Sequence, residues 1–364
     1  MRRLLIFGLA VLALCTACNR QEKKVELDNS FRLLVNFNGK YGYCDRGGAL
    51  VILPNYVSAS IFSEGLATVR VDGKDGYVDV KGNMAIPPAF EKASIFLNGR
   101  ASVRKGDLWG YIDQSGKQVI DYKFISTFGF TEGLAAVVVP EGSGAKAGFI
   151  DEKGKFVIKP QFDDASNFSE GLAAIKNGTK HGYIDKTGKL MIPEQFYEAA
   201  MFRDGLAMVK INGKFGMVGF IDHTGNAVIP AQYSEATNFN DGVAAVKLKG
   251  KNAWQLIDRT GKAIIDQEFP APTIFTEGLA PMMVKGKAGY MDKQGKMVIK
   301  PQFDAGSIFV EGVAPVKVGD KCGFIDKTGK MVIEARFQWD QRAVDQFTHY
   351  YTHFKASTVK NDNK

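Results

Sequence analysis

The stretch that decides the fold runs from Gly148 to Lys180, GFIDEKGKFVIKPQFDDASNFSEGLAAIKNGTK, and it starts again at Gly182 with GYIDKTGKLMI. Its opening tetrad, usually glycine, aromatic, aliphatic, aspartate, occurs nine times at intervals of 34 to 38 residues. A fixed period of this length is the signature of a repeat architecture in which each copy forms one structural unit. The copies begin at Gly42, Gly76, Gly110, Gly148, Gly182, Gly219, Gln255, Gly289 and Gly323, and the Gln255 copy is degenerate.

Each repeat contains three short apolar runs separated by turn signals. The tetrad aspartate is followed three residues later by glycine, as in Asp151 and Gly154, and this spacing predicts a hairpin turn. A short apolar run follows, then a polar linker with the pattern Phe-x-Glu/Asp-Gly, then a run that alternates as in Ala173 and Ile175. Alternation with a period of two predicts a strand. We therefore expect nine three-stranded modules between residues 31 and 337, each made of the alternating run, the tetrad and the post-turn run.

The predicted fold is all-β, because a three-stranded sheet of this size gains most of its core from its neighbours. Nine complete modules leave no orphan strand, whereas many rings close by pairing a strand from one terminus with the other end of the chain. This favours an open superhelical array of three-stranded antiparallel modules, with a closed propeller-like ring as the alternative. Cys44 and Cys322 distinguish the two, since an open array keeps them at opposite ends as unpaired thiols and a ring brings their modules together.

The repeat resembles the WG repeat, also called the KWG repeat, of bacterial proteins. The resemblance covers about residues 40–337 and rests on Lys-x-Gly-[Tyr/Phe]-[Ile/Val]-Asp, Pro-x-Phe and Phe-x-Glu-Gly-Leu-Ala. The tryptophan that names the family occurs only as Trp109 and Trp254. The resemblance implies a β-rich repeat array and no defined activity.

The N-terminus is typical of an exported protein. Arg2 and Arg3 precede an apolar stretch too short for a membrane span, which needs about 20 residues. Residues 1–17 therefore predict a signal peptide. The box before Cys18 resembles a bacterial lipoprotein cleavage site, although Cys15 stands where leucine is usual. We expect a lipid on Cys18, a polar tether over 18–30, and anchoring to a bacterial membrane, at the outer membrane or cell surface.

The repeat ends near residue 337, and the C-terminal segment has a different pattern. Trp339, Val344 and Phe347 recur at helical spacing after Asp340, a possible N-cap. This predicts a capping helix over 338–355 on the exposed face of the last module, followed by a polar tail over 356–364.

Nothing in the sequence predicts catalysis. The acidic residues recur with the repeat and fit turns, and no nucleophile elbow or phosphate-binding loop occurs. His349 and His353 have a spacing that suits two metal ligands, but no Glu follows His349 as in zinc proteases, so we expect helix or surface histidines there. The net charge of +8 comes largely from lysines in turns rather than from a basic stripe, so we expect no nucleic-acid partner. The protein is expected to be non-catalytic, without cofactor or metal.

Two functions remain: a cell-envelope repeat scaffold that binds a protein or peptide, or a binder of cell-wall or extracellular glycan through Tyr77, Trp109 and Trp254. Three modules, the fourth, sixth and seventh, carry lengthened first hairpins at equivalent positions. Insertions in repeat proteins often collect on the binding face. The candidate binding surface consists of Lys146, Lys214, Phe215, Met217, Lys251 and Trp254. The partner is expected to be an envelope or extracellular protein or glycan.

Overall fold

The computed structural model describes residues 31–352, and the array in this range is built from three-stranded antiparallel modules. The first strands are β1 (Leu33–Phe37), β4 (Leu66–Val71), β8 (Arg100–Lys105), β12 (Leu134–Glu141), β16 (Ala173–Asn177), β20 (Ala207–Lys210), β23 (Ala244–Leu248), β25 (Leu279–Val284) and β29 (Val313–Val318). The second strands, which carry the tetrads, are β2 (Lys40–Cys44), β5 (Lys74–Asp79), β9 (Leu108–Asp113), β13 (Gly144–Asp151), β17 (Lys180–Ile184), β21 (Val218–Ile221), β24 (Trp254–Ile257), β26 (Lys287–Asp292) and β30 (Lys321–Asp326).

The third strands complete eight of the modules, and short linker strands join several of them to the next. The third strands are β3 (Leu50–Tyr56), β6 (Met84–Phe90), β10 (Gln118–Phe124), β14 (Phe156–Phe162), β18 (Leu190–Phe196), β22 (Ala227–Ala236), β27 (Met297–Phe303) and β31 (Met331–Gln338). The linker strands are β7 (Lys92–Ala93), β11 (Ser126–Thr127), β15 (Asp164–Ala165), β19 (Glu198–Ala199) and β28 (Ala305–Gly306). Each linker strand pairs with the first strand of the following module, as β15 does with β16.

The tetrad and its turn have the local structure that their residue types demand. Asp151 accepts hydrogen bonds at Oδ1 from the backbone N–H groups of Lys153 (3.0 Å) and Lys155 (2.9 Å). Gly154 adopts φ +80°, a conformation that favours glycine. A Cβ on Gly148 would lie 2.7 Å from the backbone nitrogen of Pro160, so this glycine allows the second and third strands to approach where their register shifts. The turn-forming role of the aspartate explains its presence in every module.

The core lies between modules rather than inside them. At the joint between modules four and five, Phe149, Ile158 and Phe162 pack against Ile175 and Ile184. The tetrad aromatic is fully buried, and where it is tyrosine its hydroxyl reaches the linker, as Tyr183 Oη donates to the carbonyl of Ala200 at 2.8 Å. Each unit therefore depends on its neighbours for its apolar core, as expected for a repeat protein.

The array is closed, so the predicted open superhelix is wrong and the alternative, a propeller-like ring, is correct. The turn glycine of each module lies over an isoleucine of the preceding one, as Gly154 does over Ile120, and Gly48 of module one lies over Ile333 of module nine in the same way. Cys44 and Cys322 belong to a single core cluster. The apolar face of module nine is equivalent to the faces that are buried between other modules. Module one therefore packs against it as any following module would.

Ring closure also uses strand pairing, which the count of complete modules did not reveal. The last residue of β31, Gln338, bridges β1 at Asn36, so the third strand of module nine pairs with the first strand of module one. β31 therefore lies beside β1, in the place that a linker strand takes beside the first strand of several other modules. We call the joint between modules nine and one the seam.

A helix, α1 (Gln341–Tyr350), lies across the seam and not on an exposed end face. Its N-cap, Asp340, accepts hydrogen bonds from Asn36 Nδ2 (2.8 Å) and Tyr41 Oη (2.6 Å) of module one. Phe347 of α1 packs into the seam cluster, the one cluster in residues 31–352 that has no linker phenylalanine. The helix therefore holds the first and last modules together.

Module seven is irregular, in keeping with its degenerate tetrad. Its third run forms only isolated bridges, Ile257 with Ala263 and Trp254 with Phe269. Within residues 31–352, no helix has both the length and the apolar composition required to cross a membrane. The predicted signal peptide over 1–17, Cys18, the predicted tether over 18–30 and the predicted tail over 356–364 lie outside the described residues.

Candidate functional site

The recurring acidic residues of the Phe-x-Glu-Gly turns, here called entry turns, are occupied by structural interactions. Glu170 has φ +54°, and its carboxylate accepts from the backbone N–H of Gly205 (3.0 Å) and lies 3.1 Å from Nε2 of His223. The same link to the next entry turn is made by Glu64, Glu132, Asp204, Asp241 and Glu277. These side chains join successive modules, which gives them a structural role.

The lengthened hairpin of module four is a regular extension of the sheet. β12 and β13 continue their pairing as far as Glu141 and Gly144. Lys146 forms an ion pair with Asp163, with Nζ 2.8 Å from Oδ1, and this hydrogen bond raises the pKa of Lys146. Lys146 is therefore tied to its own module.

The hairpin of module six carries a highly exposed aromatic side chain. The loop from residue 211 to 217 is closed by a hydrogen bond from the N–H of Ile211 to the carbonyl of Met217, and Phe215 projects from it with 94% of its surface exposed. The Nζ of Lys214 lies 5.9 Å from the centre of the Phe215 ring, and Met217 is half-buried. Because the Phe215 ring is exposed to water, it contributes little hydrophobic stabilisation to the fold, and a partner that buried the ring would gain that stabilisation.

In module seven, one of the two candidate binding residues lies at the surface and the other is buried. Lys251 forms an ion pair with Glu268 at the surface. Trp254, predicted to be exposed, is only 9% exposed and packs with Phe269 and Phe275 between modules seven and eight. This correction has a physical reason. The residue directly before the tetrad faces the core between neighbouring modules, and the missing third strand of module seven leaves space there that the Trp254 indole fills.

The aromatics expected to bind glycan are also buried or partly buried. Tyr77 is fully buried, with its hydroxyl donating to the carbonyl of Ser94 at 2.7 Å, and Trp109 is half-buried against the core between modules three and four. With Trp254 buried as well, the predicted glycan surface does not exist on these residues.

The structure brings together part of the predicted protein-binding surface. The hairpins of modules six and seven flank the same strand, because Tyr233 of β22 pairs with Val218 on one side and Leu248 on the other. Lys214, Phe215, Met217 and Lys251 therefore belong to adjacent hairpins. Lys146 is separated from them by module five.

A groove at the seam contains residues that sequence reasoning missed. It encloses about 450 Å³ and is lined by Phe37, Asn38, Lys317, Asp320, Lys321, Arg336, Gln338 and Trp339. The residues come from modules one and nine and from the segment before α1. Only ring closure brings them together, so no local signal in the sequence could have identified the groove.

The two described cysteines lie in the core cluster of the seam. Both are free and buried, and burial raises the pKa of each thiol to about 12. Across residues 31–352, no group of three or more His, Cys, Asp and Glu side chains is placed to hold a metal ion.

Comparison with known families identifies the chain. The WG-containing-repeat family matches residues 41–74, 76–109, 109–139, 148–180, 182–215, 219–251, 289–322 and 323–339. These segments make up well over half of the sequence, so the chain belongs to the WG-containing-repeat family. The stretch between 251 and 289, which holds the degenerate tetrad of module seven, is not matched. No curated protein matches the sequence.

Solved structures share only a distant likeness. Dihydro-heme d1 dehydrogenase NirN in complex with DHE is 13% identical, with a TM-score of 0.46, over 86% of this chain and 75% of that one. AztD from Citrobacter koseri is 13% identical, with a TM-score of 0.40, over 84% of this chain and 96% of that one. Kluyveromyces lactis Hsv2p is 11% identical, with a TM-score of 0.36, over 72% and 92%. None of these similarities supports a statement about function.

Proposed function

We propose that this protein is a non-catalytic ring scaffold that binds a protein or peptide partner. The observation that carries the proposal is Phe215, 94% exposed at the tip of the module-six hairpin, with Lys214 beside it and the hairpin of module seven next to it. Aromatic side chains at such positions are typical anchors of protein interfaces. A scaffold role also agrees with the acidic residues of the entry turns, which are used to join modules.

We further propose that the ring is exported and held at a bacterial membrane by a lipid on Cys18. The support comes from the sequence: a short apolar segment after Arg2 and Arg3, and small residues immediately before Cys18. A polar tether over 18–30 would keep the ring away from the bilayer and leave its hairpins free to meet an envelope protein.

A photocrosslinking amino acid at position 215 tests the binding proposal in living cells. We expect discrete crosslinked species at position 215. These species should disappear when Lys214 and Lys251 are both changed to glutamine, because the loss of the two positive charges weakens binding of the partner. The matched control places the same amino acid at Asp107, in the unextended hairpin of module three. Equal crosslinking at both positions, or none at 215, would show that this hairpin is not a docking site.

A further inference from the structure

The seam groove carries positive charge because it contains several cations and lacks an ion pair that four other modules form. In module four the lysine at the start of the second strand, Lys146, pairs with Asp163, seventeen residues later; in module eight Lys287 pairs with Asp304 at 2.6 Å. Modules two and seven contain the same spacing in Lys74 with Glu91 and Lys251 with Glu268. In module nine the equivalent residues are Lys321 and Gln338, so a neutral amide stands in place of the acid. Module five also lacks the acid, with Lys180 and Tyr197 at these positions, but it lies at a joint without the open groove.

The carboxylate replaced at Gln338 has a second role in other joints. Asp163 and Asp304 also accept the backbone N–H of the next hairpin, from Gly178 and Gly319, each at 2.6 Å. These bonds draw neighbouring hairpins together. At the seam the chain turns after Gln338 into Trp339 and α1, and the space between the two hairpins remains open as the groove.

Three cations and two aromatic rings line this space. Lys317 and Lys321 come from module nine, and the only acid among the lining residues is Asp320, 3.7 Å from the Nζ of Lys321. Arg336 is held in place by a hydrogen bond from its guanidinium to the carbonyl of Gly48. Phe37, 49% exposed, and the half-buried Trp339 supply apolar surface.

We propose that the seam groove binds an anionic saccharide. The cations would hold a carboxylate or phosphate group, and the aromatic rings offer an apolar surface to the C–H face of a sugar ring. The side chains of Asn38, Gln338 and Asp320 provide donors and acceptors for hydroxyl groups. The volume of the groove falls in the range of small-molecule sites, roughly 300–1,000 Å³. This site is separate from the Phe215 hairpin and does not depend on the protein-binding proposal.

The test is calorimetric titration of the full chain in detergent with trigalacturonate, a glucuronate-containing tetrasaccharide and mannose 6-phosphate. We expect saturable binding of at least one of them and none of neutral maltotriose. Changing Lys317 and Lys321 together to glutamine should weaken binding roughly ten- to hundredfold, as expected when charge-assisted hydrogen bonds are removed. Gln338→Asp should weaken it comparably by restoring the ion pair of the other modules, with an unchanged melting transition.

The matched control is Lys176→Gln with Lys180→Gln, the equivalent residues of module five, which lie at an ordinary joint. It should leave binding unaltered. The proposal is overturned if none of the three acidic sugars binds, or if the module-five variant loses as much affinity as the module-nine variant. It is also overturned if inorganic phosphate or AMP binds as tightly as the sugars, since that would show an unselective anion site or a nucleotide site.

Discussion

One carboxylate, that of Asp340, makes several of the hydrogen bonds at the seam. Asp340 caps α1 by accepting the backbone N–H of Arg342 at 2.9 Å, and it also accepts hydrogen bonds from Tyr41 and Asn36 of module one. We predict that Asp340→Ala loosens the joint between modules nine and one more than it affects any other joint, because these three hydrogen bonds connect the end of the chain to its first module and start the helix that crosses the seam.

The magnitude follows from the hydrogen bonds that the Asp340 carboxylate accepts. Removing an N-cap costs about 1 kcal/mol of helix stability. A hydrogen bond to a charged group contributes roughly 1.5–3 kcal/mol when buried, and the lower end applies here because Asp340 is partly exposed. Allowing for partial replacement of the two side-chain bonds by water, we expect a total destabilisation of about 3 kcal/mol. Tyr41→Phe, which removes one bond, should cost about 1 kcal/mol.

Urea unfolding followed by circular dichroism measures the total, and hydrogen exchange shows where it acts. We expect faster exchange in β1, β31 and α1 for Asp340→Ala, with β16 and β17 of module five unchanged. The control is Asp345→Ala, since Asp345 lies on the same helix and its carboxylate accepts a hydrogen bond from Gln341 of that helix rather than from module one. A destabilisation below about 1 kcal/mol, or an equal one in the control, would refute the role of Asp340 as the link across the seam.

The same carboxylate gives the seam a pH dependence. Burial alone would raise the pKa of Asp340, but the hydrogen bonds from Tyr41, Asn36 and the first-turn N–H groups outweigh it and lower the pKa below its ordinary value. A carboxyl whose pKa is lower in the folded state stabilises the fold above its unfolded pKa, about 3.9 for aspartate, and loses that contribution as the pH falls through the folded value. The stability difference between wild type and Asp340→Ala should therefore be constant near neutral pH and shrink below about pH 4.

Three further outcomes are expected. Cys18→Ser should release the protein from the membrane fraction, because the acyl chains contribute about 0.8 kcal/mol per buried CH₂, and continued partitioning with detergent would disprove the anchor. Trp254→Ala should lower the free energy of unfolding by about 3–5 kcal/mol, as for a buried aromatic, whereas Phe215→Ala should leave the melting transition unchanged. Cys44 and Cys322 should resist maleimide at neutral pH until the ring is unfolded, since only the thiolate reacts; mass spectrometry locates the label, and rapid native labelling would contradict their burial.

The strands and turns could be predicted because their signals are local. An Asp-x-x-Gly step determines a hairpin through bonds that span four residues, such as those of Asp151 to the N–H groups of Lys153 and Lys155. Ring closure is different. It depends on the small rotation between successive modules, and that angle arises from packing such as Gly154 over Ile120, which no residue pattern expresses. An error of a few degrees per joint, accumulated over the array, separates a ring from an open superhelix.

The predicted site failed where the environment of a residue changes along the array. Trp254 was placed on the candidate surface because it ends a lengthened hairpin. It directly precedes the tetrad, however, at a position that faces a joint, and module seven lacks the third strand that would otherwise fill the space. Phe215 was identified correctly as an exposed residue because it lies in an insertion, and an inserted loop has no equivalent in the packed repeat. Exposure is thus predictable for side chains outside the repeat pattern and poorly predictable for variable positions within it.

A ring of nearly equivalent modules restricts where a unique site can form. At an ordinary joint, Asp163 and Glu170 are fully used in linking neighbours, and the same bonds recur at the other joints with such residues. A side chain becomes available for a ligand only where a repeated partner is missing, as at Gln338, or where residues are added, as around Phe215. Binding surfaces of this protein should therefore be sought at departures from the repeat.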